Sequence, residues 1–120
     1  MRLHVVDGRY AVARLGADDA IPSWARGDFV SITRTRDELS IVCDEAAVPS
    51  DVRAERGWRC LAVDGPIAFE TVGVAASITS ALAQAGISVF FVSTFDTDYV
   101  LIKDESFARA CDVLGIGHGA

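Results

Sequence analysis

Residues Gly86 to Asp104 concentrate the chain's chemistry. Two apolar β-rich runs, Ile87–Val92 and Tyr99–Ile102, flank Ser93, Thr94, Phe95, Asp96, Thr97 and Asp98. A turn needs only one or two such polar residues, so this surplus of hydroxyls and acids beside an aromatic ring points to a ligand. Two chemistries fit. Asp96 and Asp98 could work as a general acid/base pair, but neighbouring turn residues point apart and no nucleophile stands near them in sequence. Binding a small zwitterion uses more of the residues: Asp98 for an ammonium, Ser88 and Thr94 for hydroxyl contacts, Phe95 for an apolar wall. A carboxylate would then fall to the free N–H groups of a helix starting near Thr71, Val72, Gly73 and Val74, where Gly73 has no Cβ to block approach.

Other reaction centres are absent from the sequence. His4 and His118 lie near opposite ends of the chain without a Cys or second His at metal spacing, so no metal is expected. The chain has no Gly-x-Ser-x-Gly elbow, no phosphate loop and no Gly-x-Gly-x-x-Gly, and no cofactor is expected. Gly115-Ile-Gly-His-Gly follows a helix and opens nothing. We therefore expect a non-enzyme.

Composition narrows the partners. The 120 residues are 51% hydrophobic, enough for one compact body with a core. Net charge is −6 and the 11 basic residues are scattered, which disfavours nucleic acid and anionic membrane. The 3 cysteines, Cys43, Cys60 and Cys111, fit neither a disulfide framework nor a metal knuckle. They read as buried thiols in a reducing cytoplasm. With no secretory leader pattern and no membrane-length apolar run, the expected location is cytoplasmic.

The elements that must position these residues follow from periodicity. Arg9–Leu15 alternates as a strand, with Leu3–Val6 a further edge strand ahead of it. Asp18–Ala25 holds at most one helical turn, because of Pro22. Phe29–Arg34 and Glu38–Cys43 form a hairpin across Thr35-Arg36-Asp37. Ser50 would cap a short helix through Arg56, and Trp58–Val63 would be a strand ending at Gly65-Pro66. Val74–Ala85 is a helix with Val74, Ile78, Ala81, Leu82 and Ala85 on one face and Gly86 as its stop. Its other face, with Ser77, Thr79, Ser80 and Gln84, is uncharged and suits cover by another chain. Asp104 or Ser106 caps a last helix in which Phe107, Ala110, Cys111 and Leu114 share a face. The order repeats a β-α-β-β-α run, which predicts an α+β fold of two ferredoxin-like units with antiparallel sheets.

Gly57-Trp58-Arg59-Cys60-Leu61, Gly65-Pro66, the Gly73-Val74 helix start, Ala85-Gly86-Ile87-Ser88-Val89-Phe90 and Ser93-Thr94-Phe95-Asp96-Thr97-Asp98-Tyr99 together carry a resemblance. So do Arg9-Tyr10-Ala11-Val12 and Asp37–Cys43. The chain resembles the small bacterial ACT-domain proteins related to the cytosolic arginine sensor of animals. That resemblance implies βαββαβ units, with residues 1–57 a degenerate N-terminal ACT-like unit, expected to be structural, and 58–120 the ACT domain. It also implies an amino acid bound between units, with Ser88 and Val89 of one unit facing Thr94, Phe95 and Asp98 of another. The chain has one good copy of each, so a homodimer with two equivalent sites is implied. The implied role is a regulatory, allosteric ligand sensor acting on an unidentified protein. The alternative is a ligand-free interaction module of pseudo-ACT fold. Val74–Ser77 offers no acid for a guanidinium and Glu70 precedes the helix, so a smaller or neutral amino acid fits as well as arginine.

Overall fold

The structure, a computed structural model, describes residues 2–65 and 72–117. Pro66, Glu70, Thr71 and His118 lie outside the described residues. The fold is α+β, with strands β1 (Leu3–Leu15), β2 (Ser31–Arg34), β3 (Leu39–Asp44), β4 (Ala54–Val63), β5 (Phe90–Ser93) and β6 (Asp98–Lys103), and helices α1 (Val74–Gln84) and α2 (Asp104–Leu114). The hydrogen-bonded strand order is β2-β3-β1-β4-β6-β5, in one antiparallel sheet. By compactness the chain forms two units, Asp7–Trp58 and Met1–Val6 with Arg59–Ala120.

In the unit Asp7–Trp58, the expected hairpin forms: β2 pairs antiparallel with β3, from Ser31 opposite Val42 to Arg34 opposite Leu39. β3 also pairs with β1, from Tyr10 opposite Asp44 to Leu15 opposite Leu39. Strand alternation sends Ala11, Ala13, Leu39, Ile41 and Cys43 into one core with Val48. Two sequence expectations are corrected. β1 is one strand rather than two, running through Gly8, which takes φ 103°. The helix expected over Ser50–Arg56 does not form. Only a 3-10 turn at Glu45–Ala47 appears, and β4 already begins at Ala54. A ladder partner decided this, since Arg14 N–H donates to Arg53 O at 2.9 Å and local capping offers less than pairing. The region Asp18–Ala25 holds turns and no helix, as Pro22 predicted.

In the other unit, α1 and α2 pack on the sheet through Ile78, Leu82, Phe107, Ala110 and Cys111, meeting Leu61, Val63, Val100 and Ile102. The i, i+4 pair Ile78 and Leu82 is fully buried, as the periodicity required. α1 closes when Ile87 N–H donates to Leu82 O at 2.9 Å after Gly86. α2 starts at Asp104 with Lys103 as its N-cap and no capping side chain. Asp104 and Glu105 instead place charge in the first turn. The strand expected from Ile87 is shorter than predicted, and Ser88 and Val89 precede it as irregular backbone. Cys43, Cys60 and Cys111 are buried free thiols. No helix among the described residues is long and apolar enough to cross a membrane.

Candidate functional site

The hairpin β5–β6 is closed by its own hydroxyls. Thr94 N–H donates to Thr97 O at 2.8 Å, the Thr94 hydroxyl donates to the same oxygen at 3.0 Å, and Thr97 N–H returns to Thr94 Oγ1 at 3.3 Å. Thr97 Oγ1 donates to Val63 O at 2.6 Å, fastening the turn to the end of β4. Ser93 and Asp98 form the last register pair, and Ser93 Oγ donates to Asp98 Oδ1 at 2.7 Å. Part of the polar surplus therefore holds the turn. What remains for a ligand is the second Asp98 oxygen, which has no hydrogen bond among the described residues; the Phe95 ring close to it in sequence is 79% exposed.

Strand parity decides how the two acids relate. Asp98 shares its side of the sheet with Val100 and Ile102, whose side chains meet the helices, whereas Tyr99 alternates to the other side. Asp96 lies with Tyr99, Thr97, Gly65 and His4 around an open pocket of about 400 Å³ that Asp98 does not line. The pair is thus split, and joint acid/base chemistry has no geometry to use. His4 bonds Asp64 at this pocket's rim rather than standing alone in solvent. Its signal was the alternation of Leu3 and Val5 into the core, which turns His4 to the opposite side. Gly65 lets this rim approach the turn, since a Cβ there would meet Asp96 O and Thr97 Cβ at 3.1 Å.

The candidate ligand residues sit on different elements: Gly73 and Val74 open α1, while Thr94, Phe95 and Asp98 belong to the β5–β6 hairpin end that Thr97 ties to Val63. Gly73 is the α1 N-cap with φ 87°, has no side-chain cap and leaves open space where a Cβ would stand. Val72 beside it is 90% exposed. Ser88 and Val89 follow the far end of the same helix, Ser88 exposed and Val89 packed on the core. An 11-residue helix is about 16 Å long, so one free amino acid, spanning roughly 3.5 Å of backbone per residue, does not bridge them within a chain.

Two buried features beneath the sheet are structural. The Arg59 guanidinium lies 4.2 Å from the Phe107 ring centroid and 3.5 Å from Asp104 Oδ1, joining β4 to α2. Burial pushes the Cys60 thiol from its ordinary 9.0 up to about 12, and burial likewise raises Cys43 and Cys111. None of these thiols has the depressed pKa of a nucleophile. No group of metal-ligating side chains occurs among the described residues.

A family model for the ACT domain matches residues 53–115, and a second model, for an N-terminal domain, matches residues 8–51. The chain is 30% identical over 94 residues to subunit 1 of the cytosolic arginine sensor for mTORC1 from Homo sapiens, covering 72% of this chain. It spans 29% of that relative's length. A crystal structure of protein Atu0741 from Agobacterium tumefaciens superposes with a TM-score of 0.89 at 44% identity, covering 98% of this chain and 93% of that one. The aspartate kinase of Clostridium acetobutylicum, described as an allosteric enzyme, shares the fold at a TM-score of 0.69 and 13% identity, over 94% of this chain and 33% of the kinase chain.

Proposed function

The chain belongs to the ACT-domain family, and we propose that it is a non-catalytic regulatory protein that binds an amino acid between the ACT units of two copies. At the family level, the matched domain and the likeness to an arginine sensor support a regulatory amino-acid-binding role. The observation that carries the finer reading is the separation of Ser88 and Val89 from Gly73 and Val74 by the length of α1, and from Thr94, Phe95 and Asp98 by strand β5. Both sets serve one small ligand only if a second chain supplies one of them, which a two-fold dimer does twice. The exposed N–H groups at Gly73 meet the carboxylate, Asp98 meets the ammonium and Phe95 shields the contact. The bridging ligand favours the arrangement it binds better, and that difference in affinity is the signal passed to a regulated protein. In this reading residues 58–120 carry the site, residues 1–57 support it, and the protein works in the cytoplasm.

One observation favours a ligand-free interaction module instead. Asp98 Oδ1 and the Thr94 hydroxyl are already spent inside the hairpin. Isothermal titration with the twenty amino acids separates the two. The sensor reading predicts saturable heat with at least one of them, and loss of the component that belongs to the shared site in Asp98→Ala. Silence from all twenty at millimolar concentration leaves the interaction module as the better account.

A further inference from the structure

The unit Asp7–Trp58 was expected to be structural, yet its sheet carries a second mixed-charge cavity. Across three neighbouring strands, six side chains gather, Glu38 just ahead of β3 and Ser40 on it, Val12 and Arg14 on β1, Arg53 just ahead of β4 and Glu55 on it, with Ala13 and Ala54 completing the lining. Arg14 stands opposite Ser40 in the ladder and bonds Arg53 through the backbone, so the six side chains converge by register rather than by loop position. They surround a hollow of about 220 Å³.

The charges are arranged in a way a solvated sheet face does not require. Arg14 is committed: its Nη2 donates to Asp37 O at 2.9 Å and its Nη1 to Leu15 O at 3.4 Å. Arg53 and Glu38 are not. Among the described residues neither side chain has a hydrogen bond or ion pair, although both line the same hollow and Glu38 is half-buried. Opposite charges that share a cavity without meeting leave one acceptor for a cation and one donor fork for an anion.

We propose that this hollow binds a small zwitterion, a free α-amino acid, with its carboxylate on the Arg53 guanidinium, its ammonium on Glu38 and its side chain over Val12. The size decides against larger ligands, since 220 Å³ is below the roughly 300 Å³ at which pockets for drug-sized molecules begin. The balance of charge decides against simpler ions. A phosphate would face Glu38 and Glu55, and a divalent cation would face Arg14 and Arg53, each a like-charge contact. The proposal is independent of the site at Asp98 and uses none of its residues.

The test is two-dimensional ¹H–¹⁵N NMR of the full chain, titrated with each of the twenty amino acids. At least one should move the amides of Arg14, Ser40 and Glu55 saturably, and its methyl ester and its N-acetyl form should each bind about tenfold more weakly or worse, the worth of one charge-assisted contact. Arg53→Met and Glu38→Gln should each cost the same factor while leaving shifts at Thr94–Asp98 untouched. If one variant fails to fold, the other decides. The absence of saturable shifts on this face with every amino acid overturns the proposal, as does a binding midpoint unchanged in the folded variants. Failure at the Asp98 site shows separately, as missing shifts at Ser88 and Thr94–Asp98.

Discussion

Replacing Thr97 with Val probes the fastening that holds the hairpin turn where a ligand would meet it. Valine has the shape of threonine, so packing is kept and the hydroxyl alone is lost. In the structure that hydroxyl donates to Val63 O at 2.6 Å in a partly buried contact. Losing the bond costs about 0.5–1.5 kcal/mol, and facing the carbonyl with a methyl group adds about 1 kcal/mol of unsatisfied acceptor. The total is about 2 kcal/mol. With a urea m-value of roughly 1–3 kcal/mol per molar for a domain this size, the midpoint should fall by about 1 M. Thr97→Ser, which keeps the donor, should recover most of it. Ligand affinity should also drop, by about twofold to tenfold, because binding must then order the turn. Urea unfolding followed by fluorescence, with titration calorimetry on the same samples, measures both. A Thr97→Val midpoint equal to that of wild type would refute the reasoning.

Three further outcomes follow from the same geometry. Leu82→Ala removes a fully buried side chain between α1 and the sheet and should cost about 2–5 kcal/mol, read as a lowered melting temperature. The Cys60 thiol, raised in the fold to about 12, ionises first in the unfolded chain. Stability should therefore hold below pH 9 and fall as the pH rises from 9 toward 12, and thiol reagents should label Cys60 only after denaturant is added. Gly73→Ala meets no atom within 4 Å but holds φ 87°, so it should cost about 1–2 kcal/mol of stability, and it should weaken ligand binding further by crowding the helix start.

The readable parts of the fold were those where local signals agreed. Ile78 and Leu82 at i, i+4 fixed α1, with Gly86 beyond its end, and the Thr35-Arg36-Asp37 turn between β-branched runs fixed the β2–β3 hairpin. The misread parts depended on distant partners. Ser50–Arg56 looked like a capped helix because Pro49 and Ser50 are good initiators, but the ladder partner that claims Ala54 onward lies in β1, some forty positions away in sequence. Gly8 looked like a strand break because its conformational freedom was visible and the pairing on either side of it was not. At the candidate site, residue types were legible and their commitments were not. Thr94 was read as a ligand hydroxyl, and only the hydrogen bonds of the hairpin show Thr94 spent on Thr97 and Ser93 spent on Asp98. The mixed-charge face was hidden for the same reason, since Glu38, Arg14 and Arg53 become neighbours only once three strands are aligned.

The claim that one ligand is shared by two chains has a direct test by subunit complementation. Ser88→Trp blocks one half-site and Asp98→Ala empties the other, so each variant alone should bind no amino acid at the shared site, scored on chains that also carry Arg53→Met to silence the separate hollow. Mixed and refolded together, they should form heterodimers in which one of the two sites has both halves intact, restoring about a quarter of the wild-type binding capacity for random pairing. Calorimetric titration of the mixture should show that fraction at wild-type affinity. A mixture as silent as its components, at a concentration where wild type binds fully as a dimer, would place both half-sites on one chain and contradict the account.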